Sequence, residues 1–199
     1  MTTTESSRRN AASIDSQRLR LLLIMTTELE SLLNDERAAA EATLGCRIPS
    51  YFPAAHDRHL FELRLGQIAE DPSIEEWLLR AVVRKTDGRM IGHVGFHGPP
   101  DDDGVLEVGY ELFSDYQKHG YAIEAVEALM AWAADHHGIE RFRASIAPDN
   151  KPSLKLARKL GFVHVGRHWD EEDGEELVFA VDRVQQEKEP WRPAPSAKR

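Results

Sequence analysis

Apolar residues recur along this chain with two different periods, and the switches between them mark its elements. Arg18-Leu19-Arg20-Leu21 alternates with the period of two that a half-buried strand requires. Thr27, with Glu30 three residues on, reads as a capping box opening a helix to about Ala42, with Leu29, Leu32 and Leu33 on its inner stripe and Gly45 beyond its end. A second helix is expected from His56 to about Glu70, after a proline-bearing segment around Pro49 and Pro53 that reads as a long ordered loop. Trp77 to Arg84 and Met90 to His97 then flank Thr86-Asp87-Gly88-Arg89, where Asp-Gly supplies the positive φ of a tight hairpin turn.

From Val105 the pattern sharpens. Leu106, Val108, Tyr110 and Leu112 fall on one face of a strand, and Val105, Glu107, Gly109 and Glu111 on the other. A glycine-bearing turn, Tyr116 to Ala122, leads into a helix with the stripe Ile123, Val126, Met130 and Ala133, stopped by Gly138. A strand from Ile139 to Ile146 follows, then a short helix with Pro152 in its first turn, ending at Leu160-Gly161. Two last strands, near Phe162 to Trp169 and Glu176 to Asp182, are joined by the acidic turn from Asp170 to Gly174. Strands and helices alternate in a mixed α/β order with no internal repeat.

Composition narrows the possibilities. With 199 residues, 41% of them apolar, the chain can bury one core, expected over residues 17–185, with polar or proline-rich tails at 1–16 and 186–199. A formal charge of −9 argues against nucleic acid, which is bound through a basic surface. Cys46 is the only cysteine, so no disulfide framework exists. Ser7-Arg8-Arg9 has the look of a twin-arginine signal, but Asp15, Arg18 and Arg20 interrupt the apolar region that should follow, and no stretch is long enough to cross a membrane. A soluble, cytoplasmic protein is expected.

The strand, turn and helix from Val105 to Ala133 present unpaired main-chain N–H groups at a helix start, which suits a phosphate. The sequence contains neither Gly-x-Gly-x-x-Gly nor Gly-Lys-Ser/Thr, so the common nucleotide loops are excluded. It does contain Gln117-x-x-Gly120-x-Ala122 and, about thirty residues on, Asn150-x-x-Ser153 followed by Leu160-Gly161-Phe162. These resemble the two hallmarks of the GNAT (GCN5-related N-acetyltransferase) superfamily, in the right order with the right intervening elements. Glu107-Val108-Gly109-Tyr110 and Gly120-Tyr121-Ala122-x-Glu124-Ala125 are similar to its ribosomal-protein N-acetyltransferase branch. The resemblance is specific from about 90 to 169 and generic before that, where the superfamily builds its acceptor site.

The resemblance implies a central, mostly antiparallel sheet of six to seven strands flanked by about four helices. It implies acetyl-CoA as donor, no metal, and an amine acceptor, either a protein N-terminus or a small molecule, attacking directly in a ternary complex. Gln117, Lys118, His119, Gly120, Tyr121 and Ala122 would hold the pyrophosphate, Leu112 and Phe113 would pair with pantetheine, and Asn150 would contact its arm. Ser153 stands where the branch places a hydroxyl near the leaving sulfur. Ala157 stands where many members carry a tyrosine acid. Glu107, and after it Glu172, are the candidate bases, provided burial raises the carboxyl pKa. The superfamily also often pairs into homodimers.

Simpler readings stand beside these. Glu107 would equally be a solvated charge, Ser153 a first-turn serine, Asn150 a helix cap, and Gly161-Phe162 a helix stop with a core aromatic. A non-catalytic CoA-binding or interaction module on the same fold is the competing function. His93 and His97, and likewise His164 and His168, lie about 13 Å apart on their strands, too far to share a zinc ion. His136 and His137 sit at a helix end whose dipole they complement. The turns Asp101-Asp102-Asp103 and Asp170 to Glu176 are solvated loops or, for the second, an attractor for a cationic amine.

Overall fold

The computed structural model describes residues 13–171 and 174–183. The chain runs β1 (Ile14–Asp15), β2 (Leu19–Leu23), α1 (Thr26–Leu33), α2 (Arg37–Leu44), α3 (Ala55–Glu70), a 3-10 turn (Pro72–Trp77), β3 (Leu79–Arg84), β4 (Arg89–Phe96) and β5 (Val105–Leu112). After a short 3-10 turn it continues as α4 (Tyr121–His137), β6 (Arg141–Ile146), α5 (Lys151–Lys159), β7 (Val163–Asp170) and β8 (Gly174–Asp182). The strands form one mixed sheet in the order β1-β2-β3-β4-β5-β6-β8-β7.

Three expectations are corrected. The sheet has eight strands among the described residues, because Ile14, inside the stretch expected to be a tail, is buried and pairs with Leu21. The first helix does not start at a Thr27/Glu30 box: Thr26 is its first residue, and Glu28 accepts the Met25 N–H at 3.0 Å. Nor does it run to Ala42. It stops at Asn34, Asp35 takes a left-handed φ of 60°, and α2 starts afresh, which brings the α-helices among the described residues to five. Asn and Asp are poor helix formers that tolerate this conformation.

The sheet is antiparallel except between β5 and β6. That parallel pair is short: Val105, Leu106 and Glu107 register with Arg141, Phe142 and Arg143, and among the described residues the two strands then part. On its other side β5 stays paired with β4 as far as Leu112. One edge of β5 is thus open from Val108 onward. Helix α4 buries Ala125, Val126, Leu129, Met130, Trp132 and Ala133 in a core with Leu106, Val108 and Phe142. Helix α3 covers the opposite face, where Arg64 donates to the His97 carbonyl at 2.8 Å and Asp57 meets His93.

Candidate active site

The open edge is main chain before it is side chain. Phe113 N–H donates to the Ile91 carbonyl, and His97 N–H to the Glu107 carbonyl, so odd-numbered residues of β5 turn their peptide groups toward β4. Val108, Tyr110 and Leu112 therefore face the gap. Of the expected pair, Phe113 gives its N–H to Ile91 and accepts from Tyr116 N–H on its carbonyl, while the Leu112 main chain turns toward the gap. The Gln117 side chain donates to the Leu112 carbonyl at 2.9 Å, tying the turn to the strand end.

The turn itself has the conformation its sequence demands. Gly120 caps α4 at φ 81°, and Lys118 also adopts a positive φ, of 64°. Together they aim the first N–H groups of α4 outward beside the positive end of a 17-residue helix. Residues Gln117 to Gly120 are exposed. The turn is braced from the first strands: the Arg18 side chain pairs with Glu124 at 2.6 Å, donates to the His119 carbonyl at 3.1 Å and lies 4.5 Å from the Tyr121 ring centre. Burial opposes ionisation of Glu124, but Arg18 and Ser16 outweigh it and hold its carboxyl below the usual range.

Where β5 and β6 part, a cavity of about 300 Å³ opens, lined among others by His97, Tyr110, Ser145, Asn150, Ser153 and Ala157. Asn150 caps α5 by accepting the Ser153 N–H at 3.2 Å, so the capping role is real, and Asn150 lines the cavity as well. Tyr110 Oη donates to Ser153 Oγ at 2.9 Å. Burial pushes the Tyr110 phenol above its ordinary pKa against the pull of that hydrogen bond, which keeps it protonated. Tyr110 was not among the expected site residues: the position expected to carry a tyrosine, 157, one turn beyond Ser153 on α5, holds alanine. The signal was Tyr110 on the same strand face as Leu112.

Glu107 departs from its expected character. It accepts from Arg143 Nε at 2.9 Å and from Ser145 Oγ at 2.5 Å. Burial alone would raise its pKa, but these bonds and the charges of His97 and Arg143 hold it below the carboxylate norm. The rise that a general base needs is absent. Its neighbour His97, 4.0 Å away with half of its side chain still exposed, is pushed down by the partial burial of its ring and by the Arg64 and Arg143 charges, with Glu107 opposing. Glu172 lies outside the described residues. Cys46 is buried in the core. No helix of the described residues is long and apolar enough to cross a membrane.

A family model described as an acetyltransferase (GNAT) domain matches residues 18–163, which takes in the open edge, the turn and α5 together. The chain belongs to the GNAT family. An uncharacterized N-acetyltransferase of Bacillus subtilis, YjdG, is 33% identical over 89 residues, 45% of this chain and 51% of that protein. A second, p20 of Bacillus licheniformis, is 33% identical over 102 residues, 50% of this chain and 57% of that protein. The chain spans about half the length of these curated relatives. Among solved structures, a ribosomal-protein-S5-alanine acetyltransferase from Vibrio fischeri superposes with a TM-score of 0.61 at 22% identity, over 91% of this chain and 99% of that one. The microcin C7 self-immunity acetyltransferase MccE, solved with acetyl-CoA and AMP, gives 0.58 at 18% identity over 84% and 93%. At such identities these two show a shared GNAT fold.

Proposed function

We propose that this protein transfers an acetyl group from acetyl-CoA to a primary amine by direct attack in a ternary complex. The observation that carries the reading is the parting of β5 from β6 beside the Gln117–Ala122 turn: a free strand edge leads from an anion-binding helix start into a cavity lined by two bonded hydroxyls. Lys118, His119, Gly120, Tyr121 and Ala122 would take the pyrophosphate on main-chain N–H groups, and Leu112 and Tyr110 would pair with the pantetheine arm along the edge. A main-chain N–H of that edge polarises the thioester carbonyl. Asn150 sits at the mouth of α5 against the same arm. The binding of acetyl-CoA by MccE and the action of the Vibrio protein on a ribosomal protein support this donor and acceptor class.

Chemistry on the leaving-group side falls to Ser153 and Tyr110. As the C–S bond breaks, the thiolate takes the Ser153 hydroxyl proton, and Ser153 recovers one from the Tyr110 phenol. A tyrosine on β5 thereby does what Ala157 leaves undone. Glu107 ties β5 to Arg143 and Ser145 of β6 just where the strands separate, and so holds the mouth of the cleft at a fixed width.

The test is CoA thiol release with a panel of alanine- and serine-initiated peptides, spermidine, free amino acids and an aminoglycoside, alongside the melting temperature with acetyl-CoA. Stabilisation by mass action and release with at least one amine are expected. Acetyl-CoA that stabilises without any turnover would favour the non-catalytic module; no stabilisation at millimolar ligand removes both readings.

A further inference from the structure

This inference rests on the acetyl-transfer reading and concerns the face from which the amine comes. Successive residues of β5 point to opposite faces of the sheet. Tyr110 reaches Ser153 on α5, whereas Glu111, the next residue, reaches His56 at the start of α3. A thioester lying along the open edge thus has hydroxyls on one side and a histidine and carboxylate cluster on the other.

The cluster is compact. His56 Nε2 lies 2.9 Å from Glu111 Oε2 and 3.6 Å from Asp57 Oδ1. His93 Nε2 lies 3.1 Å from the same Asp57 oxygen and 3.8 Å from Glu111 Oε2. Its inner half is fixed: Asp57 and His93 are buried, Asp57 Oδ2 accepts the Ala54 N–H at 2.7 Å, and Phe52 packs on the His93 ring at 6.2 Å. Its outer half meets solvent, since the His56 side chain is 63% exposed and that of Glu111 39%. A rigid buried pair beneath an accessible imidazole is the arrangement of an oriented base rather than of a surface ion pair.

We propose that His56, oriented by Glu111, is the base that takes a proton from the incoming amine, with Asp57 and His93 as positioning residues. With Nε2–H donating to Glu111, the neutral ring keeps its lone pair on Nδ1. The amine N–H bond breaks, Nδ1–H forms, and the imidazolium faces Asp57 from its own helix, Glu111 from β5 and His93 from β4. The freed lone pair attacks the thioester carbon, C–N forms, C–S breaks, and the sulfur takes its proton from Ser153. The second amine proton leaves as the amide forms and, by way of solvent, restores Tyr110. The sum is R–NH3+ plus acetyl-CoA giving the acetamide, CoA thiol and H+, with the His56 proton passing to water. The electrostatics agree: burial opposes charge on the ring, but the Glu111 hydrogen bond and the charges of Asp57 and Glu111 outweigh it and raise the His56 pKa, which makes it a stronger proton acceptor.

The experiment compares wild type, His56→Gln and Glu111→Gln, all of whose altered side chains reach solvent, using whichever panel amine the wild type acetylates fastest. His56→Gln should lower kcat/KM for the amine by about 100-fold or more. It should also flatten the acidic limb of the pH profile and leave the acetyl-CoA Kd unchanged. Glu111→Gln should shift that limb to lower pH, and nitrogen NMR of histidine-labelled protein should show the His56 pKa falling with it. A His56→Gln enzyme that keeps its rate and its acidic limb overturns the role while leaving acetyl transfer intact. So does a wild-type rate abolished by EDTA and restored by zinc, which would make His56, Asp57 and Glu111 metal ligands. A wild type that binds acetyl-CoA and acetylates none of the amines overturns the transfer reading and this role with it.

Discussion

Substituting Glu107 by Gln separates a base from a brace. The side chain is 19% exposed and accepts two hydrogen bonds, one from an Arg143 side chain that is 38% exposed. Bonds to a charged partner contribute about 1.5–3 kcal/mol. Gln keeps its shape and one acceptor, and water screens Arg143, so the loss should be about 1–2 kcal/mol. For a domain of this size that lowers Tm by about 2–8 °C. The pH dependence has a definite sign. The Glu107 pKa lies below its ordinary value of 4.5 in the folded protein, so its stabilisation is complete above that range. It is lost as pH falls through the folded value, because the unfolded chain takes the proton first. Glu107→Gln should therefore narrow the gap between neutral and acid stability, read by calorimetry, while kcat for CoA release changes only a few-fold. A fall of 100-fold or more in kcat with an unmoved Tm would refute the brace and restore Glu107 as base.

Three further outcomes follow from the same geometry. Gly120→Val places a β-branched residue at φ 81°, which should cost about 1–2 kcal/mol or more of local strain and weaken acetyl-CoA binding at least 10-fold by calorimetric titration, with the sheet unaffected by circular dichroism. Tyr110→Phe should lower kcat by about 10- to 100-fold with little change in acetyl-CoA KM, and adding Ser153→Ala should cost little more, since the two act in one relay; an additive double variant would separate them. Gly109→Ala puts a methyl 2.7 Å from His97 Nε2, which must swing aside; because His97 is half exposed, the thermal cost should stay near 1 kcal/mol while the amine KM changes.

What the sequence disclosed and what it withheld divide by range. The Asp87-Gly88 hairpin and the Gly45 and Gly138 helix stops were legible because each depends on a few adjacent residues whose φ is the signal. The break at Asn34–Asp35 was also written locally, in two poor helix formers, but Glu36 to Ala42 after it is again helix-favouring, and a reading by propensity carried the helix across. Asn150 was read correctly as a cap because an Asx cap is local. The charges and hydroxyls of the site were misread or missed because their partners are remote: Glu107 and Arg143 are 36 residues apart, Tyr110 and Ser153 43, His56 and Glu111 55. Alternation along β5 told which residues share a face, but not that burial of Glu107 would come with two donors, nor that α3 would deliver a histidine opposite Glu111.

The bracing of the Gln117–Ala122 turn by Ser16 and Arg18 bears on how the protein is handled. Ser16 donates to Glu124 at 2.8 Å, and Arg18 uses both its main-chain N–H and its guanidinium on the same carboxylate. Trimming the N-terminus back to Leu19 removes β1 and every one of these struts while sparing the side chains proposed for the chemistry. If the chain binds acetyl-CoA as proposed, such a preparation is expected to bind it less tightly than the full chain, so weak turnover in it would report on where the gene was cut.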